Sequence, residues 1–94
     1  MSGDDMSEVL RTLLHEKPAM MLVLLRRKEK NYATSLAKST DCTYSHTMKI
    51  LDVFEKNGLI KSEKKGRVRY IYLTEKGEKV AELLDELISE LGGE

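Results

Sequence analysis

The stretch Thr40–His46, TDCTYSH, gathers the chain's single cysteine, one of its two histidines, an aspartate, a tyrosine and several hydroxyl groups. Cys42 and His46 stand four residues apart, so one continuous helix would place them on a shared face. The residue types admit a thiolate–imidazole nucleophile, part of a metal site, or neither. A Cys–His nucleophile needs a third, orienting group and an oxyanion site. A zinc site needs three or four ligands, usually with a second recognisable cluster. Neither pattern accompanies TDCTYSH: His15 and the acids are scattered. Free cysteine is, moreover, among the most often buried residue types. The expectation is therefore no catalytic residue, no metal and no cofactor, and a chain that is not an enzyme.

A second group of residues points to polyanion binding. Lys64, Lys65, Arg67 and Arg69 surround Gly66, with Lys49 upstream. The formal net charge is zero, but its distribution is uneven. Residues 26–73 carry twelve Lys/Arg against five acids, residues 74–94 two against seven, and residues 1–25 two against four. A basic centre between acidic ends fits a nucleic-acid partner for the centre and another task for the ends.

The elements that must position these residues follow from hydrophobic spacing and cap signals. Ninety-four residues make one small domain over 1–94. Asp5-Met6-Ser7-Glu8 has the form of a capping box, and a helix is expected over 5–16, broken by Pro18, which can occupy the first turn of the next helix. A second helix, over about 18–29, contains AMMLVLL, should be buried nearly all round, and ends in Arg26-Arg27-Lys28. Asn31 is the expected cap of a short helix running to Ser39. Thr40–Cys42 reads as a tight turn, and Thr43 as the cap of a helix over 44–56 stopped by Asn57-Gly58. Strands over 59–63 and 67–73 flank the turn Lys64-Lys65-Gly66. Thr74 then caps a last helix over about 75–91, whose Val80, Leu84, Leu87 and Leu91 follow a short coiled-coil seam.

Two short helices joined by a tight turn form a helix-turn-helix, whose second helix enters the major groove in DNA-binding versions. With Thr47, Leu51 and Phe54 inward, the opposite side of 44–56 carries Ser45, Lys49, Asp52 and Lys56, and Tyr44 and His46 lie at its exposed start. Asp52 and Glu55 would repel phosphate, so the end of this helix should tilt away from a duplex. In the hairpin, Ile71 and Leu73 fall on one face of the second strand and Val68, Tyr70 and Tyr72 on the other, where the tyrosines serve packing or phosphate contact. Arg67 is the choice for a narrow minor groove, which attracts arginine.

The segment LAKSTDCTYSHTMKILDVFEKNGLI followed by KKGRVRYIYLTEKG resembles the winged helix-turn-helix of MarR/ArsR-type regulators, especially small archaeal ones. Leu36-Ala37, Gly58-Leu59-Ile60 and Leu73-Thr74-Glu75-Lys76-Gly77 carry the resemblance, which covers residues 19–79. By that resemblance, Cys42 stands where an apolar turn residue faces the core, Asp41 where glycine is common and Thr40 where leucine is common. The metal-binding version of the family has a paired-cysteine motif in the first helix of the helix-turn-helix, and LAKSTDC has none.

The expected fold is α+β and mainly helical: an N-terminal helix over 5–16, a helix-turn-helix plus wing over 18–73 and a C-terminal dimerisation helix over 74–91. The expected function is sequence-selective binding of double-stranded DNA as a homodimeric repressor on a pseudo-palindromic site. Thr43, Tyr44, Ser45, His46, Lys49, Lys64, Lys65, Arg67 and Arg69 are the candidate DNA contacts. Val9, Leu10, Leu13, Val80, Leu84, Leu87 and Leu91 are the candidate dimer contacts. A protein-interaction winged helix in a transcription or chromatin assembly is the alternative, and a redox- or metal-responsive regulator using Cys42 a lesser one. The acidic N-terminus lacks the basic start of a signal peptide, and the run Ala19–Leu25 is too short to span a bilayer. No membrane partner and a cytoplasmic location are expected.

Overall fold

The computed structural model describes residues 3–27 and 31–92. The elements run α1 (Gly3–Leu13), α2 (Glu16–Arg26), α3 (Ala33–Ser39), α4 (Tyr44–Lys56), β1 (Ile60–Lys65), β2 (Val68–Leu73) and α5 (Glu75–Glu90). The fold is mainly helical with one antiparallel hairpin, as expected of a winged helix. Its centre is α2, whose Met21, Leu22 and Val23 are fully buried. Around it close Leu36 from α3, Leu51 and Phe54 from α4, Leu59, and Ile71 from β2. Burying a side chain of this size stabilises the fold by about 1.5–3 kcal/mol. This core fixes the helix-turn-helix to the wing.

The helix-turn-helix turn is built from backbone bonds. The Asp41 N–H donates to the Lys38 carbonyl (3.2 Å) and the Cys42 N–H to the Ala37 carbonyl (2.8 Å). This is the paired bonding of a Schellman cap, which needs a left-handed residue at its centre. Asp41 takes that place with φ 57, within the range that aspartate tolerates. Thr40 is buried, and its hydroxyl donates to the Leu36 carbonyl at 2.7 Å, so the absent leucine leaves no unpaired polar group. Cys42 is half-buried against the core. The same cap ends α4: the Gly58 N–H donates to the Glu55 carbonyl and the Leu59 N–H to the Phe54 carbonyl, with Gly58 at φ 76.

Several boundaries differ from expectation. α1 begins at Gly3, so Asp5 lies inside the helix instead of capping it. It ends at Leu13, and the break falls at Leu14-His15, not at Pro18. Pro18 is the third residue of α2, where a missing N–H costs nothing because the first helical N–H groups have no partner within the helix. α2 ends at Arg26; Lys28 and Glu29 lie outside the described residues. Asn31 does not cap α3, which begins after Tyr32. The Asn31 carbonyl instead accepts the Ile71 N–H at 2.8 Å, and Tyr32 bridges Tyr70, so this segment extends along the sheet edge first. Finally, β1 runs on to Lys65, leaving Gly66-Arg67 as a two-residue loop. Gly66 has φ 63, as the first position of such a tight hairpin loop requires.

Asp85 of α5 joins the C-terminal turn of α2. It accepts from Arg26 Nη1 at 3.2 Å and from Arg27 Nη2 at 2.8 Å. The hydrogen bond from Arg27, aided by the charges of both guanidinium groups, holds the Asp85 carboxyl below its ordinary range.

Candidate nucleic-acid interface

The Thr43 hydroxyl accepts the His46 N–H at 3.0 Å, and the Thr43 carbonyl accepts the Thr47 hydroxyl at 2.9 Å. These bonds start α4 at Tyr44 and put Cys42 outside it. Thr47, Ile50, Leu51 and Phe54 are buried, which turns Tyr44, Ser45, His46 and Lys49 outward. All four are exposed, as is Thr43, whose hydroxyl hydrogen can still be donated outward. The far end of α4 is held down: Lys56 Nζ lies 3.5 Å from Glu8 Oε1 of α1. Among the described residues no three of His, Cys, Asp and Glu are grouped as metal ligands would be.

His46 and Lys49 also form one wall of an open cavity of about 650 Å³ between α1 and α4. Its opposite wall includes Arg11 and His15, so the chain's two histidines share this cavity. His15 Nδ1 lies 2.6 Å from the Arg11 carbonyl oxygen. Nothing in the spacing of residues 15 and 46 signals this meeting, because it depends on how α1 packs on α4.

The register of the hairpin divides the wing cations. Lys64 pairs with Arg69 and Lys65 with Val68. Opposed residues share a face, so Lys64 and Arg69 stand with Ile60, Ser62, Ile71 and Leu73, and Lys65 stands on the outer face. Arg67 occupies the loop. Lys64 and Arg67 are exposed, and among the described residues neither has a hydrogen-bond or ion-pair partner. Lys65 Nζ lies 3.8 Å from Glu63 Oε1 and 5.7 Å above the Tyr70 ring. Arg69 is half-buried and donates from Nη1 to Ser62 Oγ (3.4 Å), while Ser62 Oγ donates to Glu55 Oε1 of α4 (3.3 Å). Through Ser62, Arg69 thus connects the wing to the end of α4.

The candidate dimer residues also divide. Val9, Leu13, Val80 and Leu84 pack partly against the chain's own core. Leu10, Leu87 and Leu91 are exposed, together with Leu14 and Leu83. Leu83 and Leu87 of α5 and Leu91 at its cap are thus the exposed leucines; Leu87 and Leu91 continue the face of Val80 and Leu84 past the end of the core. None of the described helices is long and apolar enough to cross a membrane.

Residues 6–85 match the family described as the DUF6293 C-terminal winged helix domain. No curated protein matches the chain. Among solved structures, AF1382 from Archaeoglobus fulgidus superposes with a TM-score of 0.76 at 25% identity, over 84% of this chain and 92% of that one. The adhesin competence repressor AdcR of Streptococcus pyogenes superposes with a TM-score of 0.74 at 23% identity, over 85% and 60%. MepR of S. aureus, in its DNA complex, gives 0.71 at 19% identity, over 95% and 77%. The resemblance to MarR-type winged-helix regulators thus holds for the fold.

Proposed function

The chain belongs to the family of the DUF6293 C-terminal winged helix domain, and we propose that it binds double-stranded DNA as a homodimeric transcriptional repressor. One observation carries the reading. The capped start of α4 turns Tyr44, Ser45, His46 and Lys49 outward while the other side of the same helix is core. A helix held in this way can enter a major groove and present these side chains to base edges. Lys64 and Arg67, exposed and without a partner among the described residues, neutralise phosphates, and Arg67 at the loop is suited to a narrow minor groove. Arg69 takes a second role, holding the wing to α4 through Ser62 and Glu55. That a similar fold was solved as a MepR–DNA complex supports the reading.

The exposed leucines of α5 and its cap, with Leu10 of α1 and Leu14 just after it, supply the surface for a second copy. Two-fold symmetry then sets the two α4 helices about 34–36 Å apart, which calls for a pseudo-palindromic site. Repression follows if that site overlaps a promoter. Lys49→Ala and Arg67→Ala, measured on cognate and random duplexes, test the assignment. Arg67→Ala should weaken both duplexes alike, and Lys49→Ala should weaken the cognate one more. Unchanged binding by both variants means that this is not the interface.

A further inference from the structure

We propose that the outer face of the wing is a second binding surface, a stacking platform for single-stranded nucleic acid. Three of the chain's four tyrosines meet there. Tyr70 and Tyr72 alternate on the outer face of β2, about 7 Å apart along the strand. Tyr32 arrives from the segment before α3, bridges Tyr70 through its backbone and sets its ring edge-on to the Tyr70 ring, at 5.0 Å and 79°. Tyrosines are common on strand faces, and a hairpin alone would account for two of them. The third is brought by a different element, and two of the three rings are left open: Tyr72 is 43% and Tyr32 41% exposed, while Tyr70 is half-buried beside Tyr32 and Lys65.

The charges on this face favour a polyanion. Lys61 stands exposed opposite Tyr72, and Lys65, opposite Val68, lies 5.7 Å above the Tyr70 ring and 3.8 Å from Glu63 Oε1, which leaves this face with one more cation than acid. Exposed rings interleaved with cations are what unpaired bases and their phosphates require, since each base offers a π-face and each phosphate a charge. A duplex hides its base faces in the stack, so it cannot stack on these rings. A partner that stacks here is therefore single-stranded. The platform is also separate from α4, because its side chains point away from the sheet face that carries Ile60, Ser62 and Ile71. A single strand and a duplex have different places to bind.

The test uses the full chain, labelled oligo-dT and oligo-rU, and fluorescence anisotropy at low salt. Both oligomers should bind if backbone and base faces suffice; binding of only one assigns the platform to DNA or to RNA. Tyr72→Ala should weaken this binding about tenfold or more and leave duplex affinity unchanged, while Tyr72→Phe, which keeps the ring, should bind as the parent does. Lys49→Ala should leave oligomer binding intact. Oligomer binding that depends on Tyr72 in a protein that ignores duplexes would support the platform and remove the duplex reading alone. The proposal is overturned if neither oligomer binds, if Tyr72→Ala binds as tightly as the parent, or if an unlabelled duplex displaces the oligomer. It is also overturned if Tyr72→Ala dissociates a dimer in sedimentation, since the face then belongs to a second copy.

Discussion

Gly77→Ala puts two physical effects in opposition, and the structure decides the sign. Gly77 lies in the first turn of α5, where its N–H donates to the Thr74 hydroxyl at 3.0 Å. On helix propensity alone, alanine should stabilise α5 by up to about 1 kcal/mol. The packing says the reverse. A Cβ on residue 77 would fall on the Leu59 carbonyl oxygen, and it would stand 2.9 Å from the Leu59 carbonyl carbon and 3.2 Å from Leu73 Cδ2. The first obstacle is backbone and cannot swing away. It is also already engaged, since the Leu59 carbonyl accepts the Thr74 N–H at 3.0 Å. Making room therefore moves the start of α5 off the hairpin, which strains that bond and the Thr74 hydroxyl's bond to the Gly58 carbonyl. Overpacking costs about 1–3 kcal/mol, a lost backbone bond about 1 kcal/mol and a damaged cap about 1 kcal/mol. Set against the propensity gain, the net loss is about 3 kcal/mol. For a domain of this size that lowers Tm by about 15 °C. Thermal and urea denaturation followed by far-ultraviolet circular dichroism would read it. A Gly77→Ala protein as stable as the parent, or more so, would refute the close approach of α5 to Leu59.

Asp85→Asn should lower stability at neutral pH by about 1 kcal/mol or less, because its partners are surface guanidinium groups. The Asp85 carboxyl is held below its ordinary range in the folded state, so the stability it adds is present above its unfolded pKa of about 4 and is lost as pH falls through the lower folded value. Denaturation midpoints of parent and variant should therefore converge on acidification below about pH 4; a constant gap would refute the ion pair. Leu87→Glu places a charge among the exposed leucines of α5, and if the parent forms the proposed dimer, sedimentation equilibrium should show the variant as a folded monomer; an unchanged mass would move the dimer interface elsewhere.

The helix-turn-helix was legible because its signals are local. Thr43 and Thr74 are both read as caps from their type and place before an apolar-periodic run, and both accept the expected backbone N–H. TDCTYSH divides at Thr43 for that reason: Cys42 belongs to the turn and leans on the core, and His46 belongs to α4 and faces out. Local signals fail where tertiary contacts compete. Asn31 is a good cap by type, but its carbonyl is claimed by Ile71, so the helix starts later. Pro18 takes the expected place in the first turn of α2, where its missing N–H costs nothing, but it is not what ends α1, whose break falls earlier, at Leu14-His15. The wing shows the same limit. Its existence follows from β-rich runs around glycine, but its register follows from the two-residue loop, and it is the extension of β1 through Lys65 that sends Lys64 and Lys65 to opposite faces. Likewise the 4-3-4 spacing of α5 marks an apolar face without saying how much of its length the chain's own core covers. Val80 and Leu84 pack partly against the core, whereas Leu87 and Leu91, seven residues further along the same face, lie beyond it and are exposed.

The salt dependence of duplex affinity tests the central claim most directly. If Lys64 and Arg67 of each of two protomers neutralise phosphates, log K should fall linearly with log salt concentration, with a slope of about −4. Arg67→Ala should make the slope shallower by about 1 for each contact removed. A duplex affinity that is flat across salt, or a slope that Arg67→Ala leaves unchanged, would contradict the account.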